Sequence, residues 1–236
     1  MKPLTVILDA GHGKETPGKR SPKLDNGNCL FEWKFTREIC NKIYCLLQSE
    51  GIKCIIANKD DKDYKLSERA TRINNLFNKE KKLGHLAIMI SVHGNAAGCG
   101  DWKTAHGWEV FSTKGTTNSD KLAKCFCNVF KNIFPDKKLR GHKEENFTII
   151  YKTNCPCVLT ENFFYDNKEE CELMLSEEGQ MVLNYGIKDV HYTLNSDNFV
   201  KSTISDEMIL IAKAVFAIAV LVVSIIMLIK IILLVL

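Results

Sequence analysis

Three short apolar runs in this chain each end on a residue able to do chemistry, and that pattern limits the folds open to it. Leu4–Asp9 (LTVILD) leads into the turn Ala10-Gly11-His12-Gly13, Leu86–Val92 ends at His93-Gly94-Asn95, and Cys157–Thr160 follows Pro156 and ends at Glu161. Continuous apolar runs of this length read as strands buried on both faces. Between them the spacing turns helical. Phe35, Ile39, Ile43, Leu46 and Leu47 recur within Trp33–Glu50, with Gly51 as a stop, and Leu66, Ala70, Ile73 and Phe77 share one face of Leu66–Phe77. Ser119 would cap a helix running to Phe134, and Lys168–Leu175 and Glu177–Val190 read as closing helices. Ile52–Ala57 and Trp108–Ser112 supply two further strands. Strands alternating with helices predict an α/β fold with a mostly parallel twisted sheet flanked by helices.

In a parallel sheet the C-terminal strand ends share one edge, and ligands bind there. His12, His93 and Glu161 are therefore expected to converge, although 81 and 68 residues separate them. Glu32, just before the first long helix, can present its carboxylate to the same edge. Two histidines and a carboxylate form a catalytic zinc set with one position left for water, and a further carboxylate supplies a general base. A single histidine at a strand end is more often a satisfied core or loop residue, so spacing alone leaves both readings open.

The wording around these positions narrows the choice. ILDAGHG at Ile7–Gly13, FEWKFTREIC around Glu32, LSERATRIN at Leu66–Asn74, SVHGNAA at Ser91–Ala97, HGWEVFS at His106–Ser112 and PCVLTENFFYDNKEE at Pro156–Glu170 succeed one another over roughly residues 4–190. In that order the chain resembles the N-acetylmuramoyl-L-alanine amidases of the Amidase_3 type, found in bacterial cell-wall enzymes and phage endolysins. The resemblance implies that His12, Glu32 and His93 are zinc ligands and that Glu161 is the catalytic glutamate. The implied reaction is hydrolysis, in peptidoglycan, of the amide between N-acetylmuramic acid and L-alanine of the stem peptide.

Two readings stay beside this one: a zinc amidohydrolase of the same fold acting on another amide, and a catalytically silent, membrane-tethered peptidoglycan-binding protein. A holin-like role for the tail has little support, because the tail carries no small-residue dimer motif. Asp9 and Asn95 are candidates for orienting the ligand histidines, or else for stabilising turns. His85, His106 and His142 fit surface loops better than a metal site. The lysine-rich loop after His12 (Lys14, Lys19, Lys23) departs from the family pattern and is expected to touch no ligand. Arg140-Gly141 falls in a matching segment with no evident role.

Composition adds the boundaries. Lys and Arg total 32 against 28 Asp and Glu. Two of the lysines, Lys213 and Lys230, lie in the tail, so the remainder is barely basic and nucleic acid is not an expected partner. Ten scattered cysteines, with C-x-C and no C-x2-C spacing, read as free buried thiols. No signal peptide is evident in Met1–Glu15. Residues 1–192 form the expected catalytic domain, 193–207 a polar linker and 208–236 a transmembrane helix. Ala214–Ile229 supplies 16 uncharged residues, about 24 Å of helix, and the flanking lysines can snorkel to opposite sides of a ~30 Å core. The expected location is thus a membrane anchored by one C-terminal span. The side of the membrane and the oligomeric state are left open.

Overall fold

The computed structural model describes residues 3–180, apart from Cys99 and Glu178. The strands are β1 (Leu4–Ala10), β2 (Cys54–Ile56), β3 (Leu86–Asn95), β4 (Trp108–Ser112), β5 (Leu139–Glu144) and β6 (Cys157–Phe164). The helices are α1 (Glu32–Ser49), α2 (Leu66–Lys82), α3 (Asn118–Ile133), α4 (Thr148–Tyr151) and α5 (Lys168–Leu175). The strands form a single sheet in the order β2-β1-β3-β6-β4-β5. The expected membrane span 208–236, the linker 193–207 and most of the helix Glu177–Val190 lie outside the described residues. Among the described residues no helix is long and apolar enough to cross a membrane.

The sheet is mixed, which corrects the expectation of a mostly parallel one. β2, β1, β3 and β6 run parallel, whereas β4 pairs antiparallel with β6 and carries β5 parallel to itself. The cause lies in the connections. No helix intervenes between β3 and β4, so the element that usually carries a chain back to the starting edge for parallel pairing is missing. β4 therefore starts at the edge where β3 finished and runs the other way. α3 then provides the crossover to β5.

Alternation along the strands builds two core layers. Val6, Leu8, Ile90, Val92, Trp108 and Val110 pack with Phe35, Ile39 and Ile43 of α1 and Leu122, Phe126 and Phe130 of α3. Ile7, Met89, Cys157 and Leu159 face the other way, against Ala70 and Ile73 of α2 and Ile149 and Ile150 of α4. Cys40, Cys54, Cys155, Cys157 and Cys171 are buried free thiols, as their apolar contexts predict. The cap of α3 is Thr117, not Ser119. Thr117 Oγ1 accepts the Ser119 N–H, while Asp120 accepts the Thr117 N–H, giving a capping box. Ser119 itself is buried and its Oγ accepts the Cys157 N–H at 3.0 Å.

Two buried ionic clusters pin the sheet. At its upper end Arg69 of α2 grips Asp9 of β1, with Nε–Oδ1 at 2.9 Å and Nη2–Oδ2 at 2.5 Å, and the Ser91 hydroxyl of β3 donates to the same carboxylate. At the lower end Glu80 of α2 accepts from Thr5, Lys53 and His85. Burial would raise the Glu80 carboxyl, but these donors outweigh it and hold the group down to about 2.

Replacing Arg69 with Leu leaves the Asp9 charge buried and unpaired, so unfolding free energy should fall by about 3–5 kcal/mol in urea titration. Adding Asp9→Leu should recover part of that loss. The depressed Glu80 carboxyl contributes stability that is complete above its ordinary value near 4.5 and disappears as pH falls toward about 2. The Glu80→Gln protein should accordingly lose less stability than wild type between pH 4.5 and 2, followed by thermal melts.

Candidate metal centre

His12 sits on the turn that follows β1, in the left-handed backbone region with φ 59°. Such a conformation is costly for a side-chain-bearing residue and needs support. The neighbouring contacts supply it. The Gly11 N–H donates to Val92 O, the Gly11 carbonyl accepts from Thr36 Oγ1, and Asn58 brackets Ala10 through both its N–H and its carbonyl. Gly11 has no freedom to be anything larger, because a Cβ there would lie 2.6 Å from Nδ1 and Cε1 of His93.

Glu32 is the first residue of α1, where the helix dipole favours a carboxylate. Its side chain is 1% exposed. Oε1 lies 3.4 Å from His12 Nε2 and 3.1 Å from His93 Nδ1, and it accepts the Gly94 N–H at 3.2 Å. Burial raises the Glu32 carboxyl, yet the two histidines outweigh it and hold it well below the usual carboxylate range. Burial also lowers the His93 imidazole, keeping it neutral, which is the form that binds metals.

The donor atoms of His12, Glu32 and His93 all lie within 4.8 Å of one another. Tetrahedral zinc with bonds near 2.0–2.1 Å spaces its ligands about 3.4 Å apart, so the three residues fit such an ion. Glu32 Oε2 and Glu161 Oε2 are buried without a hydrogen-bond partner, as a site completed by a cation or bound water requires. This trio could hold a metal ion.

Strand register brings the fourth residue alongside. His93 of β3 stands opposite Glu161 of β6, and Glu161 stands opposite Glu109 of β4. Directly opposed residues project from the same face, so His93, Glu161 and Glu109 form a row across three strands. Burial, then the nearby charge of Glu32, pushes the Glu161 carboxyl far above its ordinary value. The ladder between β3 and β6 shifts after His93, and the Asn162 amide donates to His93 O at 2.8 Å, fixing the ligand-bearing backbone.

Several sequence expectations need correction. Asp9 does not orient a histidine, since its carboxylate is taken by Arg69 and Ser91. Asn95 donates to Glu109 and accepts the Ala96 N–H, and so serves the β3–β4 junction. The lysine-rich loop does touch a ligand. Glu32 N–H donates to Lys19 O, an isolated bridge joins Arg20 to Phe31, and Lys19 Nζ stands 3.9 Å from Glu32 Oε2. His85, His106 and His142 lie outside the trio, bound respectively to Glu80, Thr104 O and Ser112. Glu109 went unnoticed in the sequence. A charged residue between Trp108 and Val110 was the available signal, because alternation sends it to the face opposite that apolar pair.

Residues 6–190 match the family described as N-acetylmuramoyl-L-alanine amidase. The chain belongs to this family. It is 30% identical to the endolysin of Bacillus phage SPP1 over 172 residues, covering 72% of this chain and 58% of the endolysin. It is 24% identical over 164 residues to the sporulation-specific N-acetylmuramoyl-L-alanine amidase of Bacillus subtilis, covering 68% of this chain and 56% of that protein. The chain thus spans somewhat over half the length of these two relatives. Among solved structures, N-acetylmuramoyl-L-alanine amidase from Clostridium difficile 630 superposes with a TM-score of 0.70 at 26% identity, over 84% of this chain and all of that one. The mixed sheet flanked by helices is therefore the family's fold.

Because a Cβ at Gly11 would collide with the His93 ring, Gly11→Ala should weaken zinc binding by about tenfold or more in chelator competition. Unchanged zinc affinity in a folded Gly11→Ala protein would show that His93 does not contribute a ligand atom.

Proposed function

We propose that this chain is a zinc-dependent amidase that hydrolyses the bond between the lactyl group of N-acetylmuramic acid and L-alanine of the peptidoglycan stem peptide. His12, Glu32 and His93 hold the ion, and Glu161 is the catalytic residue. The observation that carries this reading is the pairing of a compact His-Glu-His trio with a carboxyl group in register beside it whose Oε2 is buried without a hydrogen-bond partner. A bound zinc ion supplies Lewis acidity, polarising the amide carbonyl and acidifying water.

The chain's own residues do the rest. Burial and Glu32 give Glu161 a high proton affinity, and a cation in the trio offsets that rise electrostatically. Glu161 can then take a proton from the attacking water at Oε2 and deliver it to the departing nitrogen of L-alanine. His93, neutral through burial, keeps a lone pair for the ion. The Glu161 side chain argues against the silent-binder alternative, because a buried carboxyl oxygen without a hydrogen-bond partner costs stability that a mere binding module has no reason to bear.

Likeness to the phage SPP1 endolysin supports a lytic role. Residues 208–236 support a membrane tether on sequence grounds, through the uncharged run between Lys213 and Lys230.

The full chain, purified in detergent, should release peptides with a free N-terminal L-alanine from peptidoglycan, identified by mass. A chelator should abolish release and added zinc restore it. Glu161→Gln should lower turnover by about 10²–10⁴-fold while zinc content stays near that of wild type. Zinc loss in the Glu161→Gln protein would refute the division of roles, and cleavage elsewhere in the wall would move the assignment to another amide.

A further inference from the structure

The row His93–Glu161–Glu109 does not stop at Glu109. Glu109 is 5% exposed, and its carboxylate gathers Arg140 and Lys143 from β5, with Arg140 Nε and Lys143 Nζ at 2.7 and 2.5 Å from Oε2. Asn95 holds Oε1 at 2.8 Å. These donors hold the Glu109 carboxyl below its ordinary value against its burial, so it is ionised. Two cations against one carboxylate leave the cluster with one positive charge in excess.

That excess faces outward. Arg140 and Lys143 side chains are 27% and 41% exposed, whereas Glu109 beneath them is closed off. Only Nε of Arg140 is bound to Glu109, and Nη1 makes no more than a long 3.5 Å contact with His106 O. The guanidinium also lies over the Phe164 ring, 5.0 Å from its centroid, which fixes its plane.

The backbone is built to place them. Register between β4 and β5 jumps from Trp108↔Leu139 to Glu109↔Gly141, making Arg140 the extra residue of a bulge. Gly141, at φ 94°, takes the conformation the bulge demands, and a Cβ there would meet nothing within 4 Å. The space beside Gly141, between the two cations, is therefore open.

Direction follows from the reaction. On the amidase reading Glu161 hands its proton to the departing nitrogen, which sets that nitrogen beside Glu161. A peptide continuing from there along the row, away from His93, would reach β4 and β5. Strands spaced about 4.8 Å apart put Glu109 one step and the β5 cations two steps beyond Glu161, roughly 5–10 Å. One or two residues of peptide span that distance. The residue after L-alanine in the stem peptide is D-glutamate, joined onward through its side chain, so its α-carboxyl group is left free or amidated.

We propose that Arg140 and Lys143, backed by Glu109, form a subsite that binds the free α-carboxylate of this second stem-peptide residue, so that the enzyme prefers the acid over the α-amide. This rests on the amidase reading above.

The test pairs binding with turnover, using the zinc-loaded full chain. The binding probes are the tripeptide L-Ala-γ-D-Glu-L-Lys and its α-carboxamide counterpart, titrated by calorimetry. The turnover probes are the same two peptides carrying N-acetylmuramic acid, compared by kcat/KM. The acid should be favoured about tenfold or more in both readouts, through KM rather than kcat. Arg140→Gln and Lys143→Gln should each bring the acid-to-amide ratio toward one. Lys143→Gln keeps the Arg140–Glu109 pair, so it reports even if Arg140→Gln fails to fold. Equal handling of acid and amide by wild type would overturn the subsite and leave the amidase standing. Variants that weaken both probes alike would also overturn it, assigning the cations instead to positioning Glu109 and Glu161. If neither muramoyl peptide is cut, the amidase reading fails and the subsite falls with it.

Discussion

The buried pair between Asp9 and Arg69 is the contact on which the upper end of this sheet depends. It joins the last turn of β1 to α2, and through Ser91 it reaches β3, so three elements share one carboxylate. Arg69 also donates to Ala10 O at 3.1 Å, immediately before the turn that carries His12. A buried bidentate ion pair contributes little net stability against an apolar isostere, but it is unforgiving of displacement. Here that intolerance is useful. The histidine that follows has a strained backbone and must still bring its ring to Glu32 of α1.

Above that base the site is assembled from elements on both faces of the sheet. Glu32 enters from α1, whereas His93, Glu161 and Glu109 rise from neighbouring strands on the face that carries Met89 and Leu159. The loop before α1 is tied to Glu32 by its own backbone, so Lys19 is held beside the carboxylate as part of the fold. The ionised Glu32 is thus flanked by Lys19, and the ionised Glu109, farther along the row, by Arg140 and Lys143.

The parts of this arrangement visible in the sequence were those written in apolar residues or in family wording. β1, β3 and the start of β6 were legible because each is a continuous buried run; His12, Glu32 and His93 cluster at their ends, and Glu161 stands opposite His93 in register. β5 was not legible, because LRGHKE is a polar edge strand held by pairing on one side and by ion pairs. The reversal of β4 was missed because WEVFS alternates in the same way in either direction, and only the missing helix before it carried the information. The role of Asp9 was left open for a related reason. Its partner Arg69 lies 60 residues away, a contact that only the fold creates.

β5 ends the sheet among the described strands, and it does so with its ladder broken by a bulge and its surface charged. Such edges resist docking by a strand from another molecule. A second chain adding itself there would have to desolvate Arg140 and Lys143 and straighten the bulge at Gly141. The features that keep this edge open to a ligand are therefore the same ones that keep it closed to aggregation, and a substitution that flattened the strand would forfeit both at once.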